Sequence, residues 1–432
     1  MAAEEQGWDW FEQARFGLFV HWGIYSLLER GEQSLFRERL NPIEYERLAR
    51  RFRPALFDAD EWIGSAKEAG MRYAVLTTKH HDGFCLFDSA VSDYTAVKTA
   101  ARRDFIAEYT AACRRHGLKV GLYYSLADWH WPAYFSGPKK TPEEFARFLD
   151  YTHTQIKELC TNYGQIDVLW FDGGWPWSAE DWKSEEIDRM IRELQPYVMI
   201  NDRLHGGGGG NVKPKKGAPE KTRGYFDTAE QRAPGQSSKR PIETCRTSVS
   251  RWWGYSAGDR LWKSPAEIIF YLTGAAEAGA NFLLNVGPKS DGTFPEPFRQ
   301  ILRETGRWLM DNGEAIYGTQ PGVCDCMSWG RMTTREGRAY LHVLYWPGKE
   351  LNLYGLENEV TSAYLLASKK PLSWVQEGAH LLLRGLPARP PDPLGTVIVL
   401  EVEGTPRQHP EVVRLWQENA DTSSLADWAA GR

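Results

Sequence analysis

The stretch IDVLWFDGGW, residues 166–175, runs through apolar and aromatic side chains to a carboxylate at Asp172 and then meets two glycines. A continuously apolar run reads as a strand buried on both faces, the pattern of parallel sheets. Glycines directly after it permit a sharp turn. Seven other runs share the habit of stopping on polar residues: FGLFVHW (16–22), YAVLTTKHH (73–81), KVGLYYS (119–125), VMINDR (198–203), GYFDTAE (224–230), PIETC (241–245) and NFLLNVG (281–287).

Amphipathic helical stretches lie between several of these runs. They are 59–70 before the second, 104–117 before the third, 141–164 before the fourth and 264–280 before the last. Strands alternating with helices over some 300 residues predict an α/β fold with a (β/α)8-like barrel. The pattern weakens from the fifth to the seventh strand, where HGGGGGNVKPKKGAPEK (205–221) intervenes, so an irregular barrel is expected there. Beyond about residue 320 the helices stop. Short strands at 338–346, 350–356, 361–367, 379–386 and 395–403 predict a C-terminal β-sandwich. The expected domains are thus a barrel over 1–320, a sandwich over 321–405 and a polar tail over 406–432 with a helical stretch at PEVVRLWQENA.

The bulk properties fit a globular chain of 432 residues with 42% hydrophobic and 25% charged residues. A net charge of −5 gives no electrostatic reason to expect nucleic acid or an anionic membrane as partner. The 19 Trp and 19 Tyr suit either large cores or sites where aromatic faces meet sugar rings. Six scattered cysteines, with Cys324 and Cys326 the only close pair, read as reduced structural thiols. The N-terminal MAAEEQGWDWFEQ has neither the basic start nor the apolar stretch of a leader, and no run approaches about 18 apolar residues. The expectation is a soluble, cytoplasmic protein, unless the sequence is a mature form secreted after removal of a leader. Oligomeric state is not legible.

In a barrel, polar residues at the C-terminal strand ends line the active site. Here those ends carry His21, His80 and His81, Tyr124 with His130 just beyond, Asp172, Asn201-Asp202-Arg203, Glu230, Glu243 and Asn285. Adjacent His80 and His81 point to opposite faces of a strand and do not readily share a metal, and no HExxH or Cys/His spacing appears. No metal site is expected. Neutral imidazoles that exchange hydrogen bonds with hydroxyls are the alternative, and they suit a polyol. The pentaglycine 206–210 lacks the spacing of a phosphate loop and reads as a loop.

Carboxylates remain, and paired carboxylates are the chemistry of glycosidases. Asp172 is the nucleophile candidate because a strand and a turn fix it. Glu230 and Glu243 compete as proton donor, and the donor is expected to be held protonated by burial or by the charge on Asp172.

The segments ARFGLFVHWGIYS, LTTKHHDGFCLFDS, VGLYYSLADWHWP, DVLWFDGGWP, INDR and NFLLNVGPKSDGT fall in order and resemble the glycoside hydrolase family 29 α-L-fucosidases. The resemblance implies a retaining exo-glycosidase with a (β/α)8-like barrel, a C-terminal β-sandwich, no cofactor, and a fucosylated oligosaccharide or glycoconjugate as substrate. It implies Asp172 as nucleophile and His21, His80, His81, Tyr124, Trp170 and Arg203 as fucose-binding residues, with Trp253 near the sugar's methyl group. Glu230 matches one form of the family's acid/base and is favoured over Glu243, which matches another. Two departures stand out. Glu32, which the resemblance implies as a fucose-hydroxyl contact, is followed by Gln33 where the family usually has Trp, and PIETC has Ile242 where Trp is common. The alternatives are a glycosidase of neighbouring specificity, such as one for α-L-galactosides, and a fucose-binding protein without turnover.

Overall fold

The computed structural model describes residues 7–206, 224–234, 240–324 and 327–410. The helical stretch expected at PEVVRLWQENA and most of the 205–221 loop lie outside them. Eight parallel strands close into a barrel in chain order: β1 (Phe16–Val20), β2 (Tyr73–Lys79), β3 (Lys119–Ser125), β4 (Val168–Asp172), β5 (Met199–Asn201), β6 (Tyr225–Glu230), β7 (Ile242–Thr247) and β8 (Asn281–Val286). Every residue of β1, β2 and β8 is buried, which is why those runs are apolar without alternation.

The connecting helices begin where the sequence supplies a cap. The Asp58 carboxylate accepts from the backbone N–H of Asp60 and Glu61 ahead of helix Ala59–Glu68, and Asp104 does the same for Ala107 ahead of Phe105–His116. Helices Pro142–Asn162 and Pro265–Glu277 fill the positions expected from their periodicity. Helix Ser184–Leu194, between β4 and β5, is one that the apolar runs alone do not announce.

The expected irregularity falls at β5, which has only three residues. Its ladder to β4 is two register pairs, Val168↔Met199 and Leu169↔Ile200, and its ladder to β6 is two more. A side chain extends it. Asn201 Oδ1 accepts from the backbone N–H of Phe171 and Asn201 Nδ2 donates to the carbonyl of Phe171, so an amide stands in for the next backbone pair.

Inside the barrel, Phe11, Phe19, Tyr73, Tyr123, Trp170 and Phe226 form one packed cluster, so the lumen is a core rather than a pore. The second compact unit, from Asp311 onward, holds a four-stranded sheet and a three-stranded sheet, both antiparallel. Leu341, Ile398 and Leu400 of the first sheet and Leu353, Leu381 and Leu383 of the second share one core, the arrangement of a β-sandwich. Among the described residues no helix is long and apolar enough to cross a membrane.

Gly121 in β3 shows how closely the barrel strands pack. A Cβ there would lie 2.6 Å from the Ala74 carbonyl oxygen and 2.7 Å from Val75 Cγ2. Gly121→Ala is therefore expected to lower stability by about 1–3 kcal/mol, the range for overpacking a core. A urea midpoint equal to wild type would show that the strands yield without cost.

Candidate active site

The C-terminal ends of β4, β5 and β6 converge on one guanidinium. Arg203 sits in a short 3-10 turn (Asp202–His205) that follows β5 directly. Its Nη1 donates to Asp172 Oδ1 at 2.7 Å, its Nη2 to Glu230 Oε2 at 2.7 Å and its Nε to Thr228 Oγ1 at 3.2 Å. The guanidinium carbon lies 4.5 Å from the Trp170 ring centroid, a cation–π contact that fixes its plane. Burial works against the Arg203 charge, but Asp172 and Glu230 more than offset it and hold the group protonated.

Asp172 closes β4, and the turn that follows depends on Gly173. That residue has φ of 69°, and a Cβ on it would meet Ala127 Cβ at 2.7 Å. The second Asp172 oxygen accepts from Tyr123 OH at 3.0 Å, with His81 Nε2 at 3.8 Å. Burial tends to raise the Asp172 carboxyl, but Arg203, His81 and the Gly173 N–H outweigh it and hold it below the usual carboxylate range.

Three imidazoles stand beside this carboxylate. Asn285 Nδ2 donates to the Trp253 carbonyl at 2.8 Å, so its Oδ1 is an acceptor for His21 Nδ1–H at 2.7 Å. Ser125 Oγ donates to the Ala127 carbonyl, so it accepts His81 Nδ1–H at 2.6 Å. Both bonds select the tautomer whose Nε2 carries a lone pair. Burial is the main cause that lowers His21 to about 3 and His81 to about 4, against the usual 6.5. His80 is pushed well below its ordinary value by burial and by its two histidine neighbours, and its Nδ1 is buried with no hydrogen-bond partner. The rings pack together, with His80 and His81 centroids 4.0 Å apart and His21 5.1 Å from Trp253. Among the described residues, no three His, Cys, Asp or Glu side chains are grouped to hold a metal. The arrangement offers neutral acceptors for hydroxyls beside an ionised carboxylate and a second acid.

The α-L-fucosidase family model matches residues 2–314. The chain belongs to this family. It is 31% identical to the tissue α-L-fucosidase of Rattus norvegicus over 413 residues, 88% of this chain and 86% of that one. It is similar in structure to α-L-fucosidase isoenzyme 1 from Paenibacillus thiaminolyticus, with a TM-score of 0.83 and 39% identity over 93% of this chain and all of that one. It is also similar to a family 29 α-L-fucosidase from Bacteroides thetaiotaomicron trapped as a covalent intermediate with 2-fluoro-fucosyl fluoride, with a TM-score of 0.83 and 29% identity over 93% of this chain. The protein is a retaining exo-α-L-fucosidase of glycoside hydrolase family 29 that acts on fucosylated glycans.

Within this α-L-fucosidase, the structure brings together His21, His80, His81, Trp170, Asp172, Arg203, Glu230 and Trp253. It separates four other residues read from the sequence. Tyr124 points out of the barrel, where its OH donates to Gln155 Oε1 at 2.8 Å on helix Pro142–Asn162. Its neighbour Tyr123 reaches Asp172 instead, because successive strand residues face opposite sides. The register Tyr123↔Trp170 and Ser125↔Asp172 sets that parity, and only the folded barrel supplies it. His130 also faces elsewhere: it stacks on Tyr94 at 4.7 Å and lies 3.6 Å from Glu46, while the preceding Trp129 stands 5.2 Å from His81.

Glu32 is buried, and its Oε2 accepts the backbone N–H of Trp253 at 3.0 Å and of Gly254 at 2.8 Å. It therefore supports the loop that presents Trp253. Glu243 lies near the start of β7, inside the barrel. Its Oε1 accepts from Trp170 Nε1 at 2.8 Å and its Oε2 from Tyr73 OH, and burial raises its carboxyl to about 7. Of the two glutamates, only Glu230 touches the Arg203 bridge, and its side chain is 39% exposed.

Two measurements check this geometry. Tyr123→Phe removes a hydrogen bond to a charged group, about 1.5–3 kcal/mol, so kcat/KM on an aryl α-L-fucoside should fall about 10- to 100-fold. Tyr124→Phe should leave kcat/KM within about twofold and cost only stability, about 0.5–1.5 kcal/mol. The reverse pattern would refute the facing assigned to the pair. His21 and His81 have folded values below 6.5, so as pH falls the unfolded chain binds protons first. The stability they contribute is complete above pH 6.5 and is lost as pH falls through about 4 and 3. His21→Asn should make the decline of melting temperature between those limits shallower than in wild type.

Proposed function

We propose that Asp172 is the nucleophile and Glu230 the acid/base of this fucosidase. The observation that carries the pairing is the single guanidinium of Arg203 touching both carboxylates. One such bridge limits how far apart the two acids sit, which favours the retaining spacing of about 5–5.5 Å over the wider gap of inverting enzymes.

In the first displacement an Asp172 oxygen attacks the anomeric carbon, the bond to the aglycone oxygen breaks, and Glu230 gives that oxygen its proton. The product is a fucosyl ester of Asp172 and an ionised Glu230. In the second, Glu230 takes a proton from water, the water oxygen attacks the anomeric carbon from the face the aglycone left, and Asp172 departs. Two inversions return the original configuration.

Arg203 follows the negative charge through this cycle. It neutralises Asp172 while Glu230 carries the proton, and Glu230 once Asp172 is esterified. The lone pairs on His21 and His81 Nε2 and the unpartnered His80 Nδ1 are groups that fucose hydroxyls satisfy. Trp253, 5.1 Å from His21, offers an apolar face to the methyl group. The site residues all lie within the barrel, which we take as the catalytic domain of residues 1–320. The buried thiols Cys85, Cys113, Cys160 and Cys245 are free, which supports a reducing, cytoplasmic location.

Asp172→Ala is expected to lose at least a thousandfold in kcat on an aryl α-L-fucoside, with partial rescue by azide as the fucosyl azide. Wild-type turnover in this variant would refute the nucleophile. Glu230→Ala should retain far more activity on an activated aryl fucoside, whose leaving group needs no proton, than on a natural glycoside. An equal deficit on both, together with a selective loss in Glu243→Gln, would move the acid/base role to Glu243.

A further inference from the structure

A second cavity, of about 450 Å³, opens beside the loop that follows β3 and has no part in the chemistry above. Its walls include Tyr94, His130 and Trp131, with Glu46, Asp93 and Arg50 among the polar groups. Two features tie it to the fucose site. Trp129 stands against His81, while the next residue, His130, stacks on Tyr94 in the cavity wall, so one short loop separates the two spaces. On the other side, the Tyr45 OH donates to Asp82 Oδ2 at 2.8 Å, which fixes Glu46 of the cavity next to the residue that follows His81.

We propose that this cavity is a saccharide subsite, taking a neutral sugar of the glycan beyond the one that carries fucose. The chemistry on its walls is of the kind that recognises pyranoses: the part-exposed Trp131 indole for a C–H surface, and carboxylates, imidazole and guanidinium for hydroxyls. With Asp93 paired to Lys98 at 3.4 Å, the remaining Glu46 and Arg50 leave the walls near neutral, which suits an uncharged sugar. Trp129, which parts the two spaces, is itself held by Phe36, stacked on it at 5.2 Å. The proposal rests on the fucosidase reading for its substrate but concerns residues that touch neither Asp172 nor Glu230.

Val91, 41% exposed, lines the same cavity, and Val91→Trp would narrow it without altering the barrel. Glu46→Gln is a second, milder variant. Kinetics would be measured on an aryl α-L-fucoside and on fucosylated di-, tri- and tetrasaccharides of neutral sugars, with circular dichroism to confirm folding. Both variants should keep wild-type kcat/KM on the aryl fucoside and lose about three- to tenfold on the longer substrates, as expected when one sugar contact is weakened.

An NMR titration of the wild-type enzyme with the defucosylated tetrasaccharide should perturb the Trp131 indole signal, and Val91→Trp should abolish the change. Equal kcat/KM across all substrates in both variants, or no perturbation in the titration, overturns the subsite. A wild-type enzyme inactive on the aryl fucoside would instead refute the catalytic reading, and the titration would still decide the cavity.

Discussion

The shared guanidinium of Arg203 is the constraint on which the rest of the site depends, because it ties together three strand ends that the backbone holds only loosely. β5 contributes two register pairs to each neighbour, a weak seam in an otherwise continuous barrel. Across that seam run the Asn201 amide clamp on Phe171 and the two Arg203 ion pairs. Removing one partner of a buried ion pair leaves an uncompensated charge, so the Asp172 carboxylate requires the arginine as the arginine requires it. The weakest part of the ladder and the chemical centre are therefore the same place. A side chain at the end of a short strand has the freedom to reach both neighbours, which one locked in a long ladder would lack.

Burial sets the second condition. The imidazoles of His21, His80 and His81 lie within the low-dielectric end of the barrel, where charging them is costly, so they stay neutral well below the usual histidine range. A charged imidazole beside Asp172 would compete with Arg203 for the carboxylate and could only donate. Neutral rings with fixed tautomers can accept from a hydroxyl, the group a sugar offers most. The tautomers are set from outside the cluster: Asn285 is held by the Trp253 carbonyl, and Ser125 by Ala127. Glu32, holding the 253–254 backbone, belongs to the same scaffold. Its buried side chain anchors the loop that carries Trp253.

The barrel was legible because strands buried on both faces need continuous apolar runs, and the sandwich because its strands lack intervening helices. Asp172 was legible because a strand and a glycine turn fix it without reference to any neighbour. Residues whose role depends on parity were not. YYS contains two tyrosines, and only the pairing of Tyr123 with Trp170 tells which one faces inward. The same holds for Trp129 and His130, where a loop residue's facing is set by the stack with Tyr94 across a gap in sequence. A linear pattern names the strand end but leaves open which of two adjacent side chains enters the cavity. That choice comes from tertiary neighbours.

Glu230 and Glu243 separate two properties that are often taken together. An acid catalyst needs a proton at the operating pH, and Glu243, raised to about 7 by burial, has that property in the more obvious form. It also needs a path to the leaving oxygen, and here Glu243 is spent: Trp170 and Tyr73 each donate to one of its oxygens within the barrel core. What it does from there is hold the indole on which Arg203 lies. Glu230 has the opposite balance, a half-exposed carboxylate on the same guanidinium as Asp172, the proposed nucleophile. In the proposed cycle the arginine's charge is directed first to Asp172 and then, once Asp172 is an ester, to Glu230. A donor governed by a shared counter-ion can alternate between acid and base within one turnover. One governed by permanent burial, with both oxygens already bonded, has no comparable means of changing state.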